Sequence, residues 1–236
     1  MNLTTILDTL FPAGHQVRID GHQLGGTAST AAGDVTVLGT TDAAAIDHEI
    51  ALYLAQQILI TIQAHPRRPL IFLVDTQGQA LSRAQELLCL NGSLAHLAAC
   101  VDLARRLGHV SLSLVTGEAV SGGYLSFGLM ADRAYALASS QVRVMDLKAM
   151  ARVTKIDHAK LVQLSASAPT FAPGAENYQR MGAIEDIWPA PSATLLEAAL
   201  AGLLKDQAGP DLRMQTGQDR TGRVQAASIV DQILAA

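Results

Sequence analysis

Aromatic residues are scarce, at 4% of 236 positions, and cysteine occurs only twice. No apolar run approaches the ~20 residues that a membrane-spanning helix needs. Each shortage excludes something. With four Phe, four Tyr and one Trp, the core has to come from Ala, Leu, Val and Ile. The interrupted apolar stretches predict no membrane span. Basic residues are not in excess: 17 Lys and Arg face 21 Asp and Glu, for a net charge of −4. No basic patch stands out, which argues against nucleic acid as a partner. The opening MNLTTILDTLF lacks the basic stretch and small-residue cleavage site of a secretory signal. Cys89 and Cys100 form no Cys-x-x-Cys pair. Both fall in one predicted helix, ~16 Å apart along its axis, too far to bridge. Reduced, buried cysteines in a cytoplasmic protein are expected. Seven histidines are scattered without ligand spacing, so no metal site is predicted.

What is present is an alternation of strand-like and helix-like segments over a single domain, residues 1–236. HQVRI (15–19) reads as a strand, followed by a Gly/Thr/Ala-rich turn. VTVLG (35–39) is a second strand. Asp42 to Ala64 reads as a helix whose Ile46, Ile50, Leu54 and Ile58 share one face. LIFLVD (70–75) lacks polar alternation, as a strand covered on both faces should. Ser82 to Leu107 reads as one long helix with Leu87, Leu90, Leu94, Leu97 and Val101 along a seam. VSLSLV (110–115) is the next strand. Ser121 to Met130 reads as a buried helix, RAYAL and QVRVM as further strands. Helices are predicted over 157–164, 175–181, 193–204 and 224–234, and an exposed loop over 209–223. Repeated β–turn–α units predict a largely parallel sheet flanked by helices.

Two of the strand-to-helix junctions carry glycine. One reads Val74-Asp-Thr-Gln-Gly-Gln79. The other is TGEAVSGGYLSFG (116–128), directly after Val110–Val115. Such a junction presents unpaired N–H groups at its rim, and glycine lets a substrate oxygen approach the main chain. Two corners together suit stabilisation of a developing oxyanion. For each, an ordinary packing turn is the competing explanation.

The two corners resemble the crotonase superfamily, and within it the carboxyltransferase branch. VDTQGQ is similar to the Asp-Thr-Pro-Gly corner of acetyl-CoA carboxylase carboxyltransferases. TGEAVSGGYLSFG is similar to their Gly-Glu-Gly-Gly-Ser-Gly-Gly-Ala motif. MDLKAMARVTKI (145–156) and YQRMGAIEDIW (178–188) extend the likeness, which runs from about Val35 to Trp188, toward the gamma subunits of malonate decarboxylases. Gln77 stands where the carboxylase pattern has proline, and Ala119-Val120 replace its first Gly-Gly. The resemblance implies a crotonase-like ββα spiral. It implies decarboxylation of a malonyl thioester to the acetyl thioester and CO₂. The thioester would be borne by the phosphopantetheine-type arm of an acyl-carrier protein, with no cofactor bound by this chain. The site would lie between this chain and a homologous beta subunit. Gly78, Gln79, Gly122 and Gly123 would supply the amides; Gln77, Ser121, Met145 and Arg152 would contact substrate.

Other readings are weaker. Ser121 resembles the serine of Clp-type peptidases, but no histidine occupies the stretch near Val144-Met145-Asp146 where that family has one. Without a base the hydroxyl is a poor nucleophile, and Ser121 is expected to be a helix N-cap. Crotonase hydratases and isomerases carry a glutamate where this chain has Tyr124-Leu125-Ser126. Glu118 is expected to brace the turn. Asp146, Lys148, Arg152 and Lys155 read as a solvated helix face rather than a carboxylate or phosphopantetheine subsite. A different class remains: a non-catalytic scaffold completing a beta subunit's site.

Overall fold

The structure is a computed structural model and describes residues 2–167, 172–206 and 209–235. In chain order, α1 (Leu3–Leu10) precedes β1 (Arg18–Asp20), β2 (Gln23–Thr30), β3 (Gly33–Thr40) and β4 (Ala44–Ile46). Then come α2 (His48–Ala64), β5 (Leu70–Gln79), α3 (Arg83–Leu87), α4 (Leu90–Arg106), β6 (Ser111–Val120) and α5 (Ser121–Leu125). The remainder holds β7 (Arg133–Leu137), β8 (Gln141–Arg143), α6 (Leu147–Thr154), α7 (His158–Ser167), α8 (Ala175–Arg180) and β9 (Asp186–Trp188). Helices α9 (Ala193–Lys205), α10 (Arg213–Asp219) and α11 (Ala226–Leu234) close the chain.

The sheet runs β1-β2-β3-β5-β6-β7-β9, with β4 added to the end of β5 and β8 to the end of β6. The first three strands are antiparallel and the rest parallel. β5 explains its own sequence. Leu70, Phe72 and Val74 face a cluster with Leu54, Ile58, Leu97 and Phe127 on one side. Ile71 and Leu73 face Leu7, Phe11, Leu196 and Leu200 on the other. Both faces are dry, so alternation is lost. Phe72 meets Phe127 edge-on within the first of these clusters, with centroids 5.8 Å apart.

Several expectations are corrected. The Gly/Thr/Ala-rich turn is strand β2, paired along its length with β3; small residues there sit half-buried in a sheet rather than in a loop. The helix expected from Asp42 begins at His48, capped by Asp47, whose Oδ1 accepts from the Ile50 amide at 2.9 Å. Ile46 belongs to β4 instead. The long helix breaks at Cys89, which adopts left-handed φ +60°. The break turns Leu87 out, 76% exposed, and leaves Cys89 exposed while Cys100 is buried. The helix from Ser121 ends at Leu125. The loop expected over 209–223 contains α10, whose Gly217 packs against the main chain of Met181 and Gly182.

Candidate active site

Both corners lie past a shift in the central strand pair. β5 and β6 pair from Leu70↔Ser111 to Val74↔Val115, then resume at Thr76↔Ala119. Across that step β6 advances four residues (115 to 119) and β5 two (74 to 76). Asp75 fills the resulting bulge: its Oδ1 accepts from the Glu118 amide at 2.8 Å. A Cβ at Gly117 would collide with this carboxylate, so the bulge requires glycine there. The Glu118 carboxylate points elsewhere, taking a hydrogen bond from Arg143 Nη2 at 2.7 Å. It therefore ties β6 to β8 rather than bracing the turn. Beyond the shift each strand has a new neighbour: β5 pairs with β4 and β6 with β8.

The first corner is held by Thr76. Its buried hydroxyl donates to the Ala44 carbonyl at 2.6 Å and accepts from the Gly78 amide at 3.0 Å. Gly78 has φ +108°, a conformation glycine adopts without steric cost. Its N–H, one of the amides expected to face a substrate oxygen, is bonded inside the corner to the Thr76 hydroxyl. Gln77 is exposed at the rim.

The second corner has Val120, not Ser121, at the N-cap position, and no side chain caps the helix. Ser121 is the first helical residue and sits at φ +49°. That left-handed geometry is strained for a residue with a Cβ. Its hydroxyl makes no hydrogen bond among the described residues. The expected N-cap role is therefore overturned: the sharp turn out of β6 makes Ser121 the first helical residue and leaves Val120 at the cap. Helix α5 has five residues, so the donor here is an amide rather than a long helix dipole.

The corners touch. A Cβ at Gly123 would lie 2.8 Å from the Gly78 carbonyl carbon and 2.8 Å from Thr76 Oγ1. Gly123 is the contact that lets one corner rest on the other. The neighbouring Gly122 amide donates to Gln79 Oε1 at 3.1 Å. Of the four residues expected to supply amides, Gly122 bonds the side chain of Gln79 through its N–H, and Gly78 and Gly123 form the contact between the corners. Thr76 and Asp75, which fix that frame, were not singled out from sequence. The signal available was a hydroxyl two residues before a turn glycine, the spacing of a side chain that bonds its own backbone.

The remaining expected residues lie elsewhere. Met145 is half-buried between β8 and α6. Arg152 is exposed on α6 and lines a cavity of about 450 Å³ with Asp146, Leu147, Lys148, Ala149 and His158. No residue of either corner lines that cavity. Asp146 caps α6 by accepting from the Ala149 amide at 2.7 Å, and α6 buries none of its residues, as a solvated face should. His48 Nδ1 lies 2.6 Å from Ser93 Oγ; among the described residues no histidine bonds Ser121. Tyr124 stands where a hydratase has its carboxylate, and its fully buried hydroxyl is held protonated by desolvation. Among the described residues no group of three or more His, Cys, Asp or Glu is placed to hold a metal ion. No helix among them is long and apolar enough to cross a membrane.

Comparison with known proteins bears on the family and the fold. The family model described as malonate decarboxylase gamma subunit matches residues 41–236. The malonyl-S-ACP:biotin-protein carboxyltransferase MADD of Malonomonas rubra is 33% identical over 124 residues, 51% of this chain and 42% of that protein. The chain thus spans less than half the length of that relative. Among solved structures, a Pseudomonas malonate decarboxylase hetero-tetramer in complex with coenzyme A superposes with TM-score 0.80 at 23% identity, covering 97% of this chain and 96% of that one. The Pseudomonas MdcD-MdcE hetero-dimer gives 0.75 at 24% identity, again over 97% and 96%. Transcarboxylase 12S gives 0.71 at 17% identity, over 86% and 42%. The fold is accordingly the expected crotonase-like fold of the carboxyltransferases. With a glycine-built pair of corners on that fold, and a family match running from the end of β3 to the last residue, the chain belongs to the malonate decarboxylase gamma subunit family.

Proposed function

We propose that this chain works with a homologous beta subunit to decarboxylate a malonyl thioester borne by an acyl-carrier protein, releasing CO₂ and leaving the acetyl thioester. When the C–C bond to the carboxylate breaks, its electron pair passes into the thioester and an enolate oxygen carries the charge. A proton then adds to the carbon. The step asks the protein for amide donors at that oxygen and for a site from which water is kept. The observation that carries the reading is the Gly122 amide, which already holds an oxygen of carbonyl type at 3.1 Å beside the contact of the two corners. The absence of a carboxylate at Tyr124-Leu125-Ser126 speaks against hydratase chemistry. The relative whose name specifies malonyl-S-ACP supports a carrier-bound substrate. In that arrangement the phosphopantetheine-type arm belongs to the carrier and this chain binds no cofactor of its own. The domain would be single, 1–236, and would act in the cytoplasm.

One amide does not make a complete site, and this favours a shared one. Leu81, Leu87 and Leu88 follow the first corner and are 83%, 76% and 55% exposed. Apolar surface of this kind beside a site suits a partner subunit, as do the hetero-oligomeric neighbours. A scaffold role has one specific observation in its favour: Gly78 and Gly123 form the close contact that holds the corners together. The test is coexpression with a homologous beta subunit, followed by assay with a malonyl carrier thioester. The chain alone should be inactive and the pair active. Robust turnover by the isolated chain would overturn the shared site. Full activity of a pair carrying Gly122→Val would reduce this chain to a scaffold.

A further inference from the structure

The Gly122 amide has a resident acceptor. Its N–H donates to the side-chain oxygen of Gln79, 43 residues away, at 3.1 Å. Only the oxygen of a carboxamide accepts, so the donor fixes which way the group points. That oxygen sits close over the Gly122 α-carbon, since a Cβ there would lie 3.0 Å from it. A carboxamide oxygen and a thioester oxygen are both neutral carbonyl acceptors. Gln79 therefore occupies, with its own side chain, the position that the proposed function assigns to the substrate oxygen.

The attachment is built to be released. The Gln79 backbone is registered against Ile46 in the β4–β5 ladder, and the next amide, Ala80, donates to the Ile46 carbonyl at 2.8 Å. The main chain is held while the side chain is tied by a single hydrogen bond. Among the described residues the Gln79 Nε2 has no hydrogen-bond partner. The group is half-buried, so it has solvent to swing into.

We propose that Gln79 is a specificity-determining residue of this site, whose carboxamide oxygen competes with the substrate oxygen for the Gly122 amide. This rests on the oxyanion reading given above. A neutral oxygen exchanges one ordinary hydrogen bond for another and gains little. An enolate oxygen makes a charge-assisted bond roughly twice as strong and displaces the carboxamide readily. The competitor thus weakens the hold on neutral thioesters, the acetyl product included.

The test uses the complex of the full chain with its beta subunit, with Gln79→Met and Gln79→Glu beside the wild type. Methionine keeps the length and removes the acceptor; glutamate replaces it with a stronger one. Acetyl-S-pantetheine, titrated by calorimetry, should bind Gln79→Met about threefold to tenfold more tightly, the range of one neutral hydrogen bond. It should bind Gln79→Glu more weakly than wild type at neutral pH. Hydrogen exchange at the Gly122 amide of the unliganded full chain should be faster in Gln79→Met. Equal or weaker binding by Gln79→Met, or unchanged exchange at Gly122, overturns the proposal. A complex that shows the expected binding order but does not turn over malonyl-S-pantetheine leaves the competition standing and counts against the decarboxylase reading alone.

Discussion

Two adjacent glycines should respond to alanine in opposite ways. At Gly123 the added methyl would lie 2.8 Å from the Gly78 carbonyl carbon, 2.9 Å from its α-carbon and 2.8 Å from Thr76 Oγ1. Two of those atoms are main chain, and the third is locked between Ala44 and Gly78. Nothing nearby yields cheaply, so the corners must part. Overpacking of this kind costs about 1–3 kcal/mol. For a chain of this size each kcal/mol lowers Tm by roughly 2–4 °C, so Gly123→Ala should melt about 2–12 °C below wild type. At Gly122 the methyl would meet Gln79 Oε1 at 3.0 Å, the free end of a flexible side chain. Gly122→Ala should therefore stay within about 0.5 kcal/mol of wild type in stability. Its turnover in the assembled complex should fall instead, because the methyl intrudes where the oxyanion would sit. Circular dichroism melts and a coupled CO₂ assay on both variants separate the two effects. A Gly123→Ala variant that melts within a degree of wild type would refute the corner contact, and with it the division of the Gly-Gly pair into frame and donor.

Ser121, at φ +49°, should tolerate Gly at no loss of stability, whereas Ser121→Val should cost about 1–3 kcal/mol in urea unfolding. Ser121→Ala should leave turnover within roughly tenfold, because no base activates the hydroxyl; loss of activity would reopen a nucleophilic serine. A thiol reagent should label the exposed Cys89 quickly in the native isolated chain. Cys100, buried and with its thiol pKa pushed up by that burial, should react only on unfolding; a Cys89 as slow as Cys100 would disprove the break at Cys89, and two fast thiols would disprove the burial of Cys100. The Asp211 carboxyl is held below its ordinary 3.8 chiefly by its hydrogen bond with Arg213. Such a group stabilises the fold above its unfolded value, and the contribution fades as pH falls through the lower folded value. Urea midpoints of wild type and Asp211→Asn should therefore differ most near neutral pH and converge below 3.8, by a small margin, since Asp211 is largely exposed.

The parts of the fold that were legible are those written in local pattern. LIFLV reads as a doubly covered strand because five consecutive apolar side chains admit no wet face, and β5 is covered on both sides. Leu90, Leu97 and Val101 are buried along α4 as their spacing predicts. The break at Cys89 was not legible, because a non-glycine residue in the left-handed region carries no sequence mark. Leu87 leaves the seam that its spacing predicts for the same reason. Strand β2 carries no local mark, because its pairing with β3, not its composition of small residues, makes it a strand.

Residue order alone places two glycine-bearing junctions at the ends of two strands in a mostly parallel sheet, with no histidine near Val144-Met145-Asp146 and no carboxylate in Tyr124-Leu125-Ser126. Glycine at a strand end and an unbroken apolar run act over a few residues, so they can be read locally. What each amide does depends on the packed fold. A backbone N–H is claimed by whichever acceptor the fold brings within reach, and those acceptors come from elsewhere. Thr76 Oγ1 claims Gly78 within its own corner, and Gln79 Oε1 claims Gly122 across the two. Asp75 reaches the bulge at Glu118 through the register shift of β5 against β6. Which donors remain for a substrate is thus a property of the packed corners, because hydrogen-bond satisfaction is settled in space and not along the chain.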